Sequence, residues 1–319
     1  MSYSPNTWPT AEPEPISPST LRWEETRCLL CNCQHAHTLL EAPDYQGGTG
    51  LLFAVVQCDE CGLCYTNPRP AGPCLSRFYP TDYRPHNLAI QRPASRFQNW
   101  AKQWRKAEPP LPWHGQGRLL DFGCGGGAFL ASMRAHGWHV TGIDTSATTV
   151  LRVRAETGLH VLVGSLPHAE LQPQSFDVVT MWHALEHVPD PRAVLREARH
   201  LLDGRGKLVV AVPNIDSLPF RIFGRNWFGL DLPRHLTHFT SWTLHLMLER
   251  CGFQVESIRM IRHSAWLRHS ARLASQGGSR SIFQRGLKSK WLSRLVAFYS
   301  HITQQTDCVI ATARVVDMP

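Results

Sequence analysis

The sequence predicts an α/β protein with a doubly wound, mostly parallel sheet and a small additional N-terminal domain. From Arg118 onward, short β-rich runs such as RLLDF and FDVVTMW alternate with helical stretches, which is typical of a parallel sheet covered on both faces. A glycine-rich turn follows the first of these runs. Six of the ten cysteines lie between Cys28 and Cys64 in closely spaced pairs, which indicates metal ligands in a small module.

The chain is long enough for one large domain and a smaller one, with 319 residues of which 43% are hydrophobic. No apolar run reaches the roughly 20 residues that span a bilayer, and prolines occupy the place of a signal peptide's apolar segment, so we expect a cytoplasmic protein. The linker contains Phe97, Trp100 and Trp104 at helical spacing. We expect a disordered tail at 1–22, a cysteine module at 23–83, a linking helix and linker at 84–117, and the α/β domain at 118–319 with an insertion at 257–306.

The net charge of +8 is concentrated in one segment, because 257–306 contains nine Lys or Arg and no acidic residue. Within it, apolar residues recur every four positions with basic residues between them, which predicts one amphipathic basic helix: Phe283, Leu287, Trp291, Leu295 and Tyr299. Its apolar side could pack on the sheet or on a partner chain. Alternatively, the segment 280–299 could contact an anionic membrane or a substrate that bears phosphate.

The glycine turn lies in LLDFGCGGGAFL, at 119–130. No lysine follows the glycines, so a phosphate-binding P-loop is excluded. A dinucleotide site stays open, because Gly123, Gly125 and Ala128 fit its pattern and Asp144 follows at the usual distance. Asp121 stands two positions before the first glycine, where it would repel a pyrophosphate and attract a sulfonium or an amino group. The turn therefore favours a cationic ligand.

Asp121, Gly123, Gly125 and Gly127 together resemble motif I of the class I S-adenosylmethionine-dependent methyltransferases. The resemblance runs from Arg118 to the end of the chain and implies a seven-stranded, Rossmann-like methyltransferase fold with S-adenosylmethionine as cofactor. Asp144 matches the acidic residue that binds the ribose, whereas Ser165 replaces an acidic residue often found beside the adenine. The implied cofactor-binding residues are Asp121, Gly123, Cys124, Gly125, Gly127, Asp144, Thr145, Ser165, Leu166 and Trp182.

Five residues are candidates for the acceptor side: His183, Glu186, His187, His235 and His238. The first three follow the fourth strand of the predicted sheet, where ligands of parallel sheets bind. An alcohol or phenol acceptor benefits from a general base, and His183 is the first candidate. Glu186 and His187 could instead cap and pair within their loop, and His238 could be a cap or a packing residue.

The segment HALEH, at 183–187, resembles the E-x-x-E-H arrangement of ubiquinone-biosynthesis O-methyltransferases, in which acidic and histidine residues are linked to a divalent metal. His183 replaces the first Glu, so the metal stays open. The stretch WFGLDLPRHLTHFT resembles the border of the acceptor pocket in small-molecule and sugar methyltransferases. Nucleic-acid amino methyltransferases carry an Asp/Asn-Pro-Pro-Tyr/Phe turn where this chain has TMWH, so methylation of a base is disfavoured.

Cys28, Cys31, Cys58 and Cys61 form two C-x-x-C pairs, which predict a structural zinc site. Such a closed site leaves no coordination position for chemistry. No Lys or Arg lies between Cys28 and Cys64, which argues against binding of nucleic acid. The run VVQCDECGLCYTNPRP resembles zinc ribbons fused ahead of bacterial methyltransferases, including sugar C-methyltransferases.

The sequence therefore predicts a methyltransferase with S-adenosylmethionine and structural zinc that acts on oxygen or carbon of a small or carrier-linked metabolite. The carrier could be a nucleotide or a lipid, and sugars rank ahead of phenols as acceptors. The alternatives are a non-catalytic binding protein that keeps the cofactor fold, and an NAD-dependent oxidoreductase.

Overall fold

A computed structural model describes residues 21–47, 49–79 and 116–316. The tail at 1–20 and most of the linking segment, including Phe97, Trp100 and Trp104, lie outside these residues. The strands are β1 (Trp23–Glu24), β2 (Ala36–Pro43), β3 (Leu52–Cys58), β4 (Cys64–Thr66), β5 (Arg69–Pro70), β6 (Arg118–Phe122), β7 (His139–Asp144), β8 (Val161–Val163), β9 (Phe176–Trp182), β10 (Leu202–Pro213), β11 (Thr237–His238), β12 (Phe253–Ile261) and β13 (Cys308–Val315).

The helices are α1 (Gly72–Leu75), α2 (Ala128–Ala135), α3 (Ala147–Thr157), α4 (Pro191–Leu201), α5 (Leu218–Phe223), α6 (Ser241–Arg250), α7 (Ser264–Gln276), α8 (Ile282–Gly286) and α9 (Lys290–Ile302). Several begin at residues whose side chains accept a hydrogen bond from the first turn. Ser146 caps α3, Asp190 caps α4, and Thr240 forms a capping box with Thr243 at the start of α6. No helix in the described ranges is both long and apolar enough to cross a bilayer.

Seven strands form one sheet in the order β12-β13-β10-β9-β6-β7-β8. Strands β6 to β10 pair in parallel, and β13 runs antiparallel between β10 and β12. The central strands are buried on both faces, as shown by Leu119 and Leu120 in β6 and by Val209 and Val210 in β10. The predicted doubly wound, mostly parallel seven-stranded sheet is confirmed.

The N-terminal module shares a sheet with the large domain. Strands β2, β3 and β4 form a meander, and β11 from the large domain pairs with β4 to give the order β11-β4-β3-β2. Thr237 pairs with Tyr65 and His238 pairs with Cys64. Tyr65 also belongs to the same hydrophobic cluster as Leu185 of the large domain. The module is therefore packed against the large domain through a shared sheet and a shared hydrophobic cluster.

A buried ion-pair cluster joins these parts. The Arg234 guanidinium donates to Asp44 at 2.8 Å, to Asp231 at 2.8 Å and to the Phe78 carbonyl at 2.7 Å. The side chains of Arg234 and Asp44 are fully buried, and that of Asp231 is 8% exposed. Burial alone would raise the pKa of Asp231, but Arg234 holds it below its ordinary value. This one cation pairs with one carboxylate from each part of the protein.

The basic segment differs from the single helix predicted across Phe283 to Tyr299. Its first residues, up to Ile261, continue strand β12, and the rest forms α7, α8 and α9. The helix is interrupted between Gly286 and Lys290, where glycine is a poor helix former and Ser289 adopts an extended conformation. Leu287, at this break, is fully buried. Burial of that one side chain turns the chain inward and divides the segment into two helices.

Replacement of Arg234 by Met should destabilise the protein strongly, because it leaves Asp44 and Asp231 buried without a cation. We expect a loss of about 3–5 kcal/mol in the free energy of unfolding, measured by urea denaturation. Arg221→Met is the matched control, since Arg221 pairs with Asp216 at 2.7 Å on the surface, and it should cost less than about 1 kcal/mol. Equal losses in both variants would contradict the assignment.

Candidate active site

The glycine turn places backbone N–H groups at the carboxyl end of β6. Gly123, Gly125 and Gly127 have φ values of 72°, 49° and 72°, in the left-handed region that favours glycine. The N–H of Gly123 donates to the Ile143 carbonyl at 2.8 Å, which holds the turn against the neighbouring strand β7. Cys124 lies within the turn and is buried, and burial raises the pKa of its thiol.

Asp144 ties together the ends of three neighbouring strands. Its carboxylate accepts from the N–H of Gly125 and from the N–H of Ser146, both at 2.9 Å. Its carbonyl accepts from the N–H of Gly164 after β8, also at 2.9 Å. Thr145 follows it directly, and Ser165 and Leu166 follow Gly164, Leu166 being buried. The predicted cofactor residues of motif I and of the next two strand ends therefore lie along one edge of the sheet.

Asp121 is the second acidic residue at this edge, and it is 2% exposed. The Thr180 hydroxyl of β9 donates to its carboxylate at 2.6 Å. Burial raises the pKa of Asp121 to about 7, and the nearby Asp144 adds to the rise, although the Thr180 hydrogen bond opposes it. An ionisable carboxyl group beside a second carboxylate is a suitable site for a positively charged ligand group.

The cofactor edge is in direct contact with the HALEH segment. A Cβ atom placed on Gly123 would lie 2.5 Å from the Cβ of Ala184, so only glycine fits at this approach. Trp182 ends β9 on the same side, with its ring edge-on to Phe129 of α2 at 5.3 Å between centroids. The turn predicted to face the cofactor and the segment predicted to face the acceptor are thus packed against each other.

His183 begins the HALEH segment in an unusual backbone conformation. Its φ is 54°, which is rare for a residue with a side chain and is often found at functional sites. Its N–H donates to the Ala211 carbonyl of β10 at 2.9 Å. This conformation turns the imidazole toward Glu186, whose Oε1 lies 3.4 Å from Nδ1. The ring also contacts Trp266 of α7, at 5.4 Å between centroids.

Glu186 is a fully buried carboxylate, and neither of its oxygens makes a hydrogen bond within the described part of the chain. Nε2 of His235 lies 3.9 Å from the same oxygen, Oε1, that faces His183. Burial would raise the pKa of Glu186, but His183, His235 and His187 together hold it below its ordinary value. The neighbouring imidazoles therefore favour the anionic form of this carboxylate.

The side chains of Glu186, His187 and His235 form a group that could hold a metal ion, because their ligand atoms lie within 4.8 Å of one another. Nδ1 of His187 lies 3.1 Å from the Arg234 carbonyl and 3.0 Å from the Tyr79 hydroxyl. Nδ1 of His235 lies 2.9 Å from the Gly229 carbonyl. These contacts fix both rings and leave Nε2 for a ligand, as in many metal sites. Two nitrogens and one carboxylate suit a borderline divalent ion better than magnesium.

His238 lies apart from this group. It is 4% exposed, and its Nε2 lies 3.1 Å from the Thr66 hydroxyl of β4. Burial lowers its pKa to about 3. Thr66 also donates to the His235 carbonyl at 2.8 Å. His238 therefore joins the two parts of the shared sheet.

The four predicted metal-ligating cysteines converge at one end of the module. The Sγ atoms of Cys28 and Cys61 are 3.4 Å apart, those of Cys31 and Cys58 are 3.5 Å apart, and all four lie within 4.8 Å of one another. Burial would raise the pKa of Cys58, but hydrogen bonds from the backbone of Cys61 and Glu60 and from the side chains of Cys31 and Cys28 together lower it to about 7. Burial raises the pKa of Cys28 to about 11. The arrangement fits a tetrahedral thiolate site.

Several residues around the site are absent from the sequence prediction. Arg234, Tyr79 and Trp266 contact the predicted histidines, and Cys308 Sγ lies 3.9 Å from Nε2 of His183. The spacing of Asp231 and Arg234 was the one available signal, since residues three apart can form an ion pair. The other contacts join residues that are far apart in sequence, so no local sequence pattern predicts them.

Comparison with known proteins agrees with this geometry. A family model described as "Methyltransferase domain" matches residues 87–258, more than half of the chain. The chain belongs to this methyltransferase family. It is an S-adenosylmethionine-dependent methyltransferase, as the motif I resemblance implies.

This chain is similar to enzymes named ubiquinone biosynthesis O-methyltransferase, of which two are described. The ubiquinone biosynthesis O-methyltransferase of Xanthomonas euvesicatoria pv. vesicatoria is 36% identical over 171 residues, which cover 50% of this chain and 71% of the relative. That of Aeromonas salmonicida is 41% identical over 159 residues, covering 46% and 67%. A solved S-adenosylmethionine-dependent methyltransferase from Mesorhizobium loti has a TM-score of 0.45 and 22% identity, covering 64% of this chain and 94% of its own.

Proposed function

We propose that this methyltransferase transfers its methyl group to a hydroxyl oxygen of a small-molecule acceptor, with phenols ahead of sugars. The relatives described above are O-methyltransferases by name, and they match over about half of this chain. Sugars ranked first in the sequence analysis, but these relatives give that order no support. The same relatives favour an oxygen over a carbon as the methyl acceptor.

The proposed cofactor site is the edge formed by the ends of β6, β7 and β8. Asp144 would accept from the ribose hydroxyls, and Ser165 and Leu166 would border the adenine. Asp121, with its pKa raised to about 7, would lie near the positively charged end of the ligand. Two buried acidic residues at one edge oppose a pyrophosphate, which weakens the NAD-dependent alternative.

The observation that carries the proposal for O-methylation is the contact between His183 and the buried Glu186. When an acceptor hydroxyl attacks the methyl carbon, the O–C bond forms, the S–C bond breaks, and the hydroxyl proton must leave. In this proposal, His183 would take that proton. Glu186, 3.4 Å from Nδ1, would stabilise the resulting imidazolium by electrostatic attraction.

A divalent metal is a second candidate partner of the same site. Glu186, His187 and His235 would hold it, since both imidazoles are fixed through Nδ1 and the carboxylate oxygens lack hydrogen bonds within the described residues. Such an ion would polarise an acceptor hydroxyl. The fully buried Glu186 would then serve both His183 and the ion.

We also propose that Cys28, Cys31, Cys58 and Cys61 bind a structural zinc ion. Their four Sγ atoms lie within 4.8 Å of one another, and the backbone N–H groups of Cys61 and Glu60 help to stabilise the Cys58 thiolate. The site stands next to β4, whose Thr66 bonds to His238 and to the His235 carbonyl. Zinc would therefore stabilise the strand that supports the acceptor side.

Replacement of His183 by Ala should lower kcat for methyl transfer to a phenolic acceptor by about 100- to 10,000-fold, because the proton loses its acceptor. Binding of S-adenosylhomocysteine should be nearly unchanged. The measurement is transfer of labelled methyl groups with a catechol-type test acceptor, with and without a chelator. His245→Ala is the matched control, since His245 pairs with Glu249 on the surface of α6. Equal kcat values for the two variants would refute the base assignment.

The affinity for S-adenosylmethionine should depend on pH through Asp121. The free protein holds this pKa at about 7, and a cationic ligand binds the ionised form. The affinity should be high above pH 7 and should fall about tenfold for each pH unit below it, with uptake of the ligand coupled to proton release. Calorimetry in buffers of different ionisation enthalpy measures both effects. Asp121→Asn should bind more weakly with a flat profile, and an unchanged slope would contradict this role.

Metal analysis of the purified protein should give about one zinc per chain. Cys61→Ser should lose the metal and melt at a lower temperature. Cys33→Ser is the matched control, because Cys33 lies in the same loop and its Sγ contacts the backbone of His35 instead of the four-cysteine group. Retention of zinc by Cys61→Ser, or an equal loss in Cys33→Ser, would be incompatible with the proposed ligands.

A further inference from the structure

Helix α9 packs with its small residues inward and its large apolar residues outward. The inward side consists of Ser293, Ala297 and Ser300, each at most 3% exposed. The outward residues lie on one side of the helix at spacings of three and four. They are all at least half exposed: Trp291, Leu295, Phe298, Tyr299 and Ile302. We call these five, with Ile282 and Phe283 of α8, the apolar face.

Exposed basic side chains accompany the apolar face. Arg285, Lys288, Lys290 and Arg294 are all exposed, and the sequence from 257 to 306 contains no acidic residue. The guanidinium of Arg262 stands 5.3 Å from the centre of the Phe298 ring. A group of exposed apolar side chains of this kind marks an interaction site. The basic side chains around it favour a negatively charged partner.

We propose that the apolar face docks on the surface of an anionic lipid bilayer. Trp and Tyr among aliphatic residues, with Lys and Arg at the margin, are the composition that enters the headgroup region. Helix α9 has 13 residues, too few to cross a bilayer, so it would lie in the plane of the membrane. A second copy of the chain is the poorer partner, because two such basic segments would repel each other.

The geometry connects this face to the candidate active site. Helix α7 begins near His183, which its Trp266 contacts at 5.4 Å between centroids. Two residues later, Arg268 donates to the Ser293 hydroxyl of α9 at 3.2 Å. Docking would therefore bring the acceptor side close to the membrane, where an amphiphilic acceptor resides. This last step rests on the proposed function, whereas binding to the membrane does not.

The test is co-sedimentation of the full chain with vesicles of phosphatidylcholine, with or without about a third phosphatidylglycerol, at low and high salt. The unmodified protein should bind the anionic vesicles at low salt and should bind weakly to the neutral ones. The combined variant Trp291→Ser, Phe298→Ser and Tyr299→Ser should lose at least about tenfold in partition coefficient. Lys288→Gln and Lys290→Gln should each lose roughly fivefold at low salt and little at high salt.

The matched control is Trp242→Ser with Leu151→Ser, since both side chains are about 60% exposed and lie on other helices. All substituted positions are on the surface, so we expect the variants to fold. Melting temperatures equal to that of the unmodified protein would show that they do. Equal loss of binding in the control, full binding by the triple variant, or equal binding to neutral and anionic vesicles would overturn the proposal. So would light scattering that shows a dimer which the triple variant abolishes. None of these measurements depends on the methyl acceptor.

Discussion

The buried guanidinium of Arg234 holds the acceptor side of this protein together. It bonds to Asp44 of the N-terminal module, to Asp231 of its own loop and to the carbonyl of Phe78. The carbonyl of Arg234 itself contacts Nδ1 of His187, and the next residue but one, Leu236, donates its N–H to the Glu186 carbonyl at 2.8 Å. The module, the loop and the HALEH segment thus meet around this one residue.

The cofactor side has a different basis, because backbone geometry determines most of it. The positive φ angles at Gly123 and Gly127 allow the turn to lie against Ala184 and Val153. Thr180 of β9 links this turn to the neighbouring strand through Asp121. The strand that supports the cofactor turn therefore also leads into His183. The proposed cofactor site and the proposed acceptor site are thus joined within a few residues of one strand.

Much of the fold could be predicted from local sequence, since strand alternation, the glycine turn and the caps at Ser146, Asp190 and Thr240 are local signals. The acceptor side could be predicted only in part. His183, Glu186 and His187 are adjacent in sequence, but the contact between Arg234 and Asp44 joins residues 190 positions apart. The break near Leu287 is a tertiary effect, because burial of one side chain overrides the four-residue repeat.

The two-residue strand β11 bears on how this architecture could be varied. Thr237 and His238 form the last strand of the cysteine module's sheet, although they belong in sequence to the large domain. In a chimaera that exchanges only the N-terminal segment, the foreign β4 would have to pair with a β11 that is not its own. The loop at 231–238 would also lose its native contacts with the module. Exchange between homologues would succeed only when the N-terminal module and the loop at 231–238 are transferred together. The unit of recombination in this protein is therefore discontinuous in sequence.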